Sequence, residues 1–246
     1  MTTHLLRPPV PVTAHASMSA SVSVEGLLLL GDSRLPVGAH ACGATVLEAV
    51  AGGRVRSVDG LVDHLQGRLF TAGLTAAVCA VAACSLASGS SPVPAALGAL
   101  GAGWEALDGA MDARLPGEGG ARAASRAQGR AVVRFGRTCW PHDCWDLLGP
   151  APHHAVALGV AAAACGGSAR DAALLCARAG SGGPAQEAVA ALGLPPSVVT
   201  TVLARLATSV EAVAARAVHL AGRLETFRSL PVGPMLDVGP GLRLPD

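Results

Sequence analysis

Apolar positions near the C-terminal end step alternately by three and four: Leu203, Leu206, Val210, Val213, Ala217, Leu220, Leu224 and Phe227. This spacing lays an apolar stripe along one face of a single long α-helix, about residues 197–228. From Ser229 onward Gly and Pro dominate and the helix must end. The stripe packs either in the protein's own core or against a second subunit, and the first reading is preferred.

The rest of the chain repeats the theme. Segments of helical length are punctuated by Gly and Pro. Helices are expected over 24–31, 39–51, 95–114, 121–138, 153–165, 169–179 and 185–192. Another begins after Ser57, a plausible N-cap, with Val58, Leu61, Val62, Leu65 and Leu69 on one face, and runs to about Leu86. Ser168 can cap the helix that follows it. A further short helix lies between Pro141 and the Gly149–Pro152 cluster, and Gly180, Gly182 and Gly183 break the chain before 185. No strand pattern and no internal repeat is present.

Composition agrees. Of 246 residues 50 are Ala, Tyr is absent, and there are three Phe and three Trp. Ala is the best helix former, whereas strands favour β-branched and aromatic side chains. The fold class is therefore all-α: a single-domain bundle of about ten helices with an Ala-rich core. Residues 1–22, interrupted by Pro8, Pro9 and Pro11, read as a disordered tail without a signal-peptide core. The helical domain spans 23–230, and 231–246 form a C-terminal tail. Length suffices for a full core.

Between Arg68 and Glu105 there is no Asp, Glu, Lys or Arg, and 69–88 is long enough to span a bilayer. Its residues are mostly Ala, Thr, Ser and Gly, and its flanks lack aromatic belts. A central helix buried on all sides is the better reading. The seven cysteines are odd in number and irregularly spaced, which suits free thiols in a reducing cytoplasm. With a net charge of +1 and no polybasic tail, nucleic acid is not an expected partner.

The chain has no phosphate-binding loop, no H-E-x-x-H and no nucleophile elbow, so it does not read as an enzyme. Cys139, His142 and Cys144 cluster in CWPHDC, with His153 and His154 beyond. Thiolate and imidazole suit zinc, nickel or copper. The C-x-x-H-x-C spacing is not a standard tetrahedral set, however, and His153 reads more simply as a helix-start or core residue.

Charge is patterned on two neighbouring helices. Glu105, Asp108 and Asp112 share one face. Arg122, Arg126, Arg130 and Arg134 step by four along the next helix, with Arg137 beyond and no acid between them. Either the stripes neutralise each other across a helical hairpin or face water, or unpaired arginines dock an acidic partner. On the docking reading, replacing Arg126 and Arg130 by Glu weakens partner binding more than folding.

Four ordered segments resemble the urease accessory protein UreF family. The first is LLLLGDSRLPVGAHACGATVLEAVAG, with Pro36, Gly38, His40 and Glu48. The second is DARLPGEGGARAASRAQGRAVVR, with Arg122, Ser125, Gln128, Gly129 and Arg130. The third is PHHAVALGV, with His153, Val156 and Gly159. The fourth runs from Gly182 through AQEAVAALGL into the last helix. RLPVGAH and the WP…GP-x-P-H stretch look like the actinobacterial branch.

The resemblance covers about residues 24–237 and implies an all-α protein that dimerises and has no catalytic chemistry of its own. It implies binding to UreD (UreH in some organisms) and to the GTPase UreG, in a complex that delivers nickel to apo-urease. It also implies a partner surface that includes Pro36, Gly38, His40, Glu48, Arg122, Arg126, Gln128, Gly129, Arg130 and Asp237. No cofactor and no metal ligand is implied. The alternative is a direct metal carrier using the Cys139, His142 and Cys144 cluster together with His153. At its end the chain departs from the family: Pro234-Met235-Leu236-Asp237 is followed by VGPGLRLPD, without the usual His-Glu pair, and Pro245 stands where Phe is usual.

Overall fold

A computed structural model describes residues 24–32, 43–89, 100–115 and 120–221. Among the described residues ten α-helices occur in this order: α1 Val24–Leu30, α2 Gly43–Ala51, α3 Val58–Arg68, α4 Leu74–Ala87, α5 Leu100–Asp112, α6 Gly120–Cys139, α7 Cys144–Leu147, α8 His154–Ala164, α9 Ala169–Ala191 and α10 Ser197–Ala221. The all-α expectation holds, and no strand occurs among the described residues.

The predicted caps form. The Ser57 hydroxyl accepts from the Gly60 N–H at 3.1 Å. Ser168 and Asp171 make a reciprocal capping box at the start of α9. Between α3 and α4 a wider π-type turn, Leu69–Gly73, keeps the two helices continuous.

Helix α4 is the centre of the bundle, packed by α8, α9 and α10. Every residue from Ala77 to Cys84 is buried, which is why the segment carries no charge. The helical run Val58–Ala87 is long and apolar enough to cross a membrane, yet 67% of its most apolar window is buried within the protein. Helix α10 meets the same length and hydropathy criteria with 22% of its window buried.

Ala and Gly let the central helices approach closely. A Cβ on Gly159 of α8 would overlap the Ala80 carbonyl oxygen and crowd the Ala83 methyl of α4. Small side chains here replace large ones as the route to native packing density.

Two expectations needed correction. The chain does not break at Gly180, Gly182 and Gly183, and 185–192 is not a separate helix: α9 continues through Pro184 to Ala191. Residues Ser181–Ala185 are all buried. Their packing against neighbouring helices outweighs propensity costs of about 1 kcal/mol per Gly and about 3 for Pro.

The stripe on α10 is also rotated. Leu206, Val213 and Ala217 are buried as expected. Val202, Ser209 and Ala214 complete the face, while Leu203, Val210 and Leu220 are half-buried. A straight helix drifts from a strict alternation of three and four, and α10 packs on α9, α4 and α3 together. Leu224 and Phe227, like Pro36, Gly38, His40 and Asp237, lie outside the described residues.

Candidate functional site

Among the described residues a dense polar constellation joins α5, α6 and the start of α8. Asp108 and Asp112 stand one turn apart on α5, and Arg122, Ser125 and Arg126 share one face of α6. Pro152 leads into His153, which occupies the N-cap position of α8 with extended backbone (φ −63°, ψ 149°) and makes no side-chain cap of its own.

The orphan N–H groups of α8 are capped instead from the neighbouring helices. The His153 N–H donates to Asp108 Oδ1 at 2.8 Å. The His154 N–H donates to Ser125 Oγ at 3.3 Å. A carboxylate at this end also complements the helix dipole.

The His153 ring is fully buried. Its Nδ1 lies 3.0 Å from Ser125 Oγ and its Nε2 2.9 Å from Asp112 Oδ1. The network assigns the tautomer. An aspartate can only accept, so Nε2 carries the proton; Nδ1 then accepts from the Ser125 hydroxyl, whose oxygen receives the His154 N–H. Burial pushes the imidazole below its usual pKa; the Asp112 hydrogen bond opposes this and the Arg126 charge reinforces it. Burial thus favours the uncharged ring.

The two aspartates are balanced by two arginines. Arg126 reaches Asp108 Oδ2 at 2.9 Å and Asp112 Oδ2 at 2.6 Å, and also donates to the Ala151 carbonyl. Arg122 Nε lies 3.3 Å from Asp112 Oδ1. Its Nη2 donates to the Asp112 and Leu115 carbonyls at 2.7 and 3.1 Å, closing the C-terminal end of α5. Desolvation favours the neutral acid at Asp112, but hydrogen bonds from His153 and Arg126 outweigh it and hold the carboxyl below its ordinary value.

Asp108, Asp112 and His153 bring ligand atoms within 4.8 Å of one another. The Arg126 guanidinium already occupies the cation's place, so a metal would have to expel it. The order Ser125–His153–Asp112 is that of a charge relay, but its geometry is a fastener. The ring is sealed from solvent, and the Ser125 hydroxyl is used both as donor and as acceptor.

The cysteine cluster does not converge. Cys139 is exposed at the end of α6. His142 Nδ1 accepts from the Cys144 N–H at 3.2 Å, and Cys144 Sγ points to the Ala87 carbonyl at 3.8 Å. Burial raises the Cys144 thiol. His153, the fourth candidate, has both ring nitrogens engaged elsewhere. Among the described residues Cys139, His142 and Cys144 form no metal-ligating group. Their loop is held by other means: Trp145 Nε1 donates to the Trp140 carbonyl at 2.9 Å, and Arg137 to the Trp145 carbonyl at 2.8 Å.

The remaining motif residues divide by environment. Gly129 is buried where a Cβ would overlap the Pro152 carbonyl, and Gly136 where it would strike the Trp145 ring. Gln128 is half-buried, whereas Glu48 and Arg130 are exposed. Two segments that the sequence shows 28 residues apart, Ser125 and His153, therefore meet as one joint. Sequence reasoning identified both but not their contact; the available signal was a serine among the arginines of α6 and a histidine at the start of the apolar helix α8.

The described residues define an all-helical bundle in which the polar side chains of α5, α6 and the start of α8 join the helices. Residues 55–207 match the UreF family model. The chain is 43% identical over 195 residues to the urease accessory protein UreF of Mycolicibacterium vanbaalenii, covering 79% of this chain and 86% of that one. It is 37% identical over 212 residues to UreF of Mycobacterium sp. strain JLS, covering 86% and 90%. It is 37% identical over 198 residues to UreF of Mycobacterium tuberculosis H37Rv, covering 79% and 85%. The chain belongs to the UreF family of urease accessory proteins. The matched residues include the Ser125–His153 joint and exclude the L-P-x-G segment.

Proposed function

We propose that this chain is a non-catalytic scaffold of urease maturation. With UreD and UreG it supports GTP-dependent nickel insertion into apo-urease, in the cytoplasm and as a homodimer. Family membership over most of the chain carries the reading. The site chemistry supports it: the groups that could ligate metal or attack a substrate, Asp108, Asp112, Ser125 and His153, are consumed in joining α5, α6 and α8. The partner surface is formed by exposed family-motif residues, Glu48 on α2 and Arg130 on α6 among them. In a clean deletion strain, urease should be synthesised but lack nickel, and tagged protein should retain UreD and UreG. Normal urease nickel content in that strain would overturn the proposal.

A further inference from the structure

Helix α6 carries five arginines and no acid, and the fold treats them unequally. Arg122 and Arg126 are taken by Asp108 and Asp112. Arg137 is taken by Asp146 at 2.7 Å. The guanidinium groups of Arg130 and Arg134 are exposed, and among the described residues neither meets a hydrogen bond or an ion pair. They are one turn apart, about 6 Å along the axis, and share a face with Ala123 and Ala127, also exposed. The opposite face, with Gly129, Val132 and Gly136, is buried.

We propose that Arg130 and Arg134, flanked by the low Ala123–Ala127 ridge, form a docking surface for an acidic protein segment that presents two carboxylates about one helical turn apart. Charge complementarity identifies the occupant. Like charges at this spacing weaken a free helix, and among the described residues acids pair with the other three arginines of α6 but with neither of these two. Each guanidinium can hold a carboxylate through two parallel hydrogen bonds, and the two alanines let a partner backbone approach without a side-chain barrier. The surface rests on the scaffold reading and narrows the arginine stripe to the members that the fold leaves unused.

The test is co-expression of the full chain with UreD and UreG, followed by retention on tagged UreG and, separately, on tagged UreD. Arg130→Glu with Arg134→Glu should lower retention by one of them roughly tenfold or more, in a salt-dependent manner, with the melting temperature unchanged. Arg130→Lys with Arg134→Lys should recover part of it. Undiminished retention of the double-Glu variant, with wild-type retention intact, overturns this inference alone. Wild-type protein that retains neither partner overturns the scaffold reading. Binding of the wild-type chain to phosphatidylserine vesicles that is lost in the double-Glu variant would assign the pair to a lipid surface and overturn the protein-docking inference.

Discussion

His153 Nε2 lies 2.9 Å from Asp112 Oδ1, and this bond ties the start of α8 to the end of α5 across a fully buried imidazole. The opposite ring nitrogen is tied to Ser125 on α6. One side chain from the start of α8 thus holds the consecutive helices α5 and α6, and the consequences are measurable.

Replacing His153 by Ala should cost about 2–4 kcal/mol, since it opens a cavity and strips Asp112 and Ser125 of a partner. Ser125→Ala should cost less, about 1–2 kcal/mol, because it removes one hydroxyl and one cap. Urea unfolding followed by circular dichroism measures both. A His153→Ala variant as stable as wild type would show that the joint does not hold the fold.

Stability should decline as pH falls below about 6.5. Burial in the fold lowers the His153 pKa from its ordinary value of 6.5, and does the same to His64, where Arg68 and Arg54 add repulsion. Below that value the unfolded chain binds protons that the folded chain refuses. The unfolded state is therefore favoured until the folded imidazoles themselves titrate. Asp112 acts lower: its depressed carboxyl contributes stability above its ordinary value of 3.8, and the contribution is lost as pH falls below it. Urea midpoints between pH 7.5 and 5 should slope less steeply in His153→Gln, with His64 supplying the remainder. An unaltered slope in His153→Gln would remove His153 from the account.

Gly159→Ala should destabilise by about 1–3 kcal/mol, because the new methyl must displace the backbone of α4 at Ala80. Gly180→Ala is the matching control. A Cβ there meets nothing within 4 Å, so the better helix former should stabilise by roughly 0.5–1 kcal/mol. Thermal melts of the pair should move in opposite directions.

Arg126→Glu should unfold the joint, because it sets a third carboxylate against Asp108 and Asp112; a cost above ~2 kcal/mol is expected. Arg130→Glu, on the exposed face, should stay within about 0.5 kcal/mol of wild type. Replacing Arg126 and Arg130 together by Glu is therefore expected to cost folding stability through Arg126, whatever it does to partner binding. Equal stability of the two single variants would contradict the ion-pair geometry.

Thiol reactivity should follow burial. Burial raises Cys84 to about 11 and Cys165 to about 12, and drives Cys79 higher still. Among the described cysteines Cys139 is the exposed one. Iodoacetamide labelling of the native protein, read by mass spectrometry, should modify Cys139 well before Cys79, Cys84 or Cys165. Uniform labelling would mean that the core opens on the labelling timescale.

The sequence by itself determined the helical class, most helix positions and the caps at Ser57 and Ser168. These depend on local chemistry: Ala content, apolar period and the hydroxyl of a residue at a helix start. The Ser125 and His153 segments were equally legible as pieces, through their likeness to a family. Tertiary structure alone decided the rest. Continuity of α9 through Pro184 follows from burial by neighbouring helices, which a local propensity cannot register. The division of the α6 arginines follows from where α5 places Asp108 and Asp112: Arg122 and Arg126 meet them, and Arg130 and Arg134 do not. An i, i+4 charge pattern reports which side chains share a face, but the partner on that face is supplied by another part of the chain, so only the packed fold separates a fastening arginine from a free one.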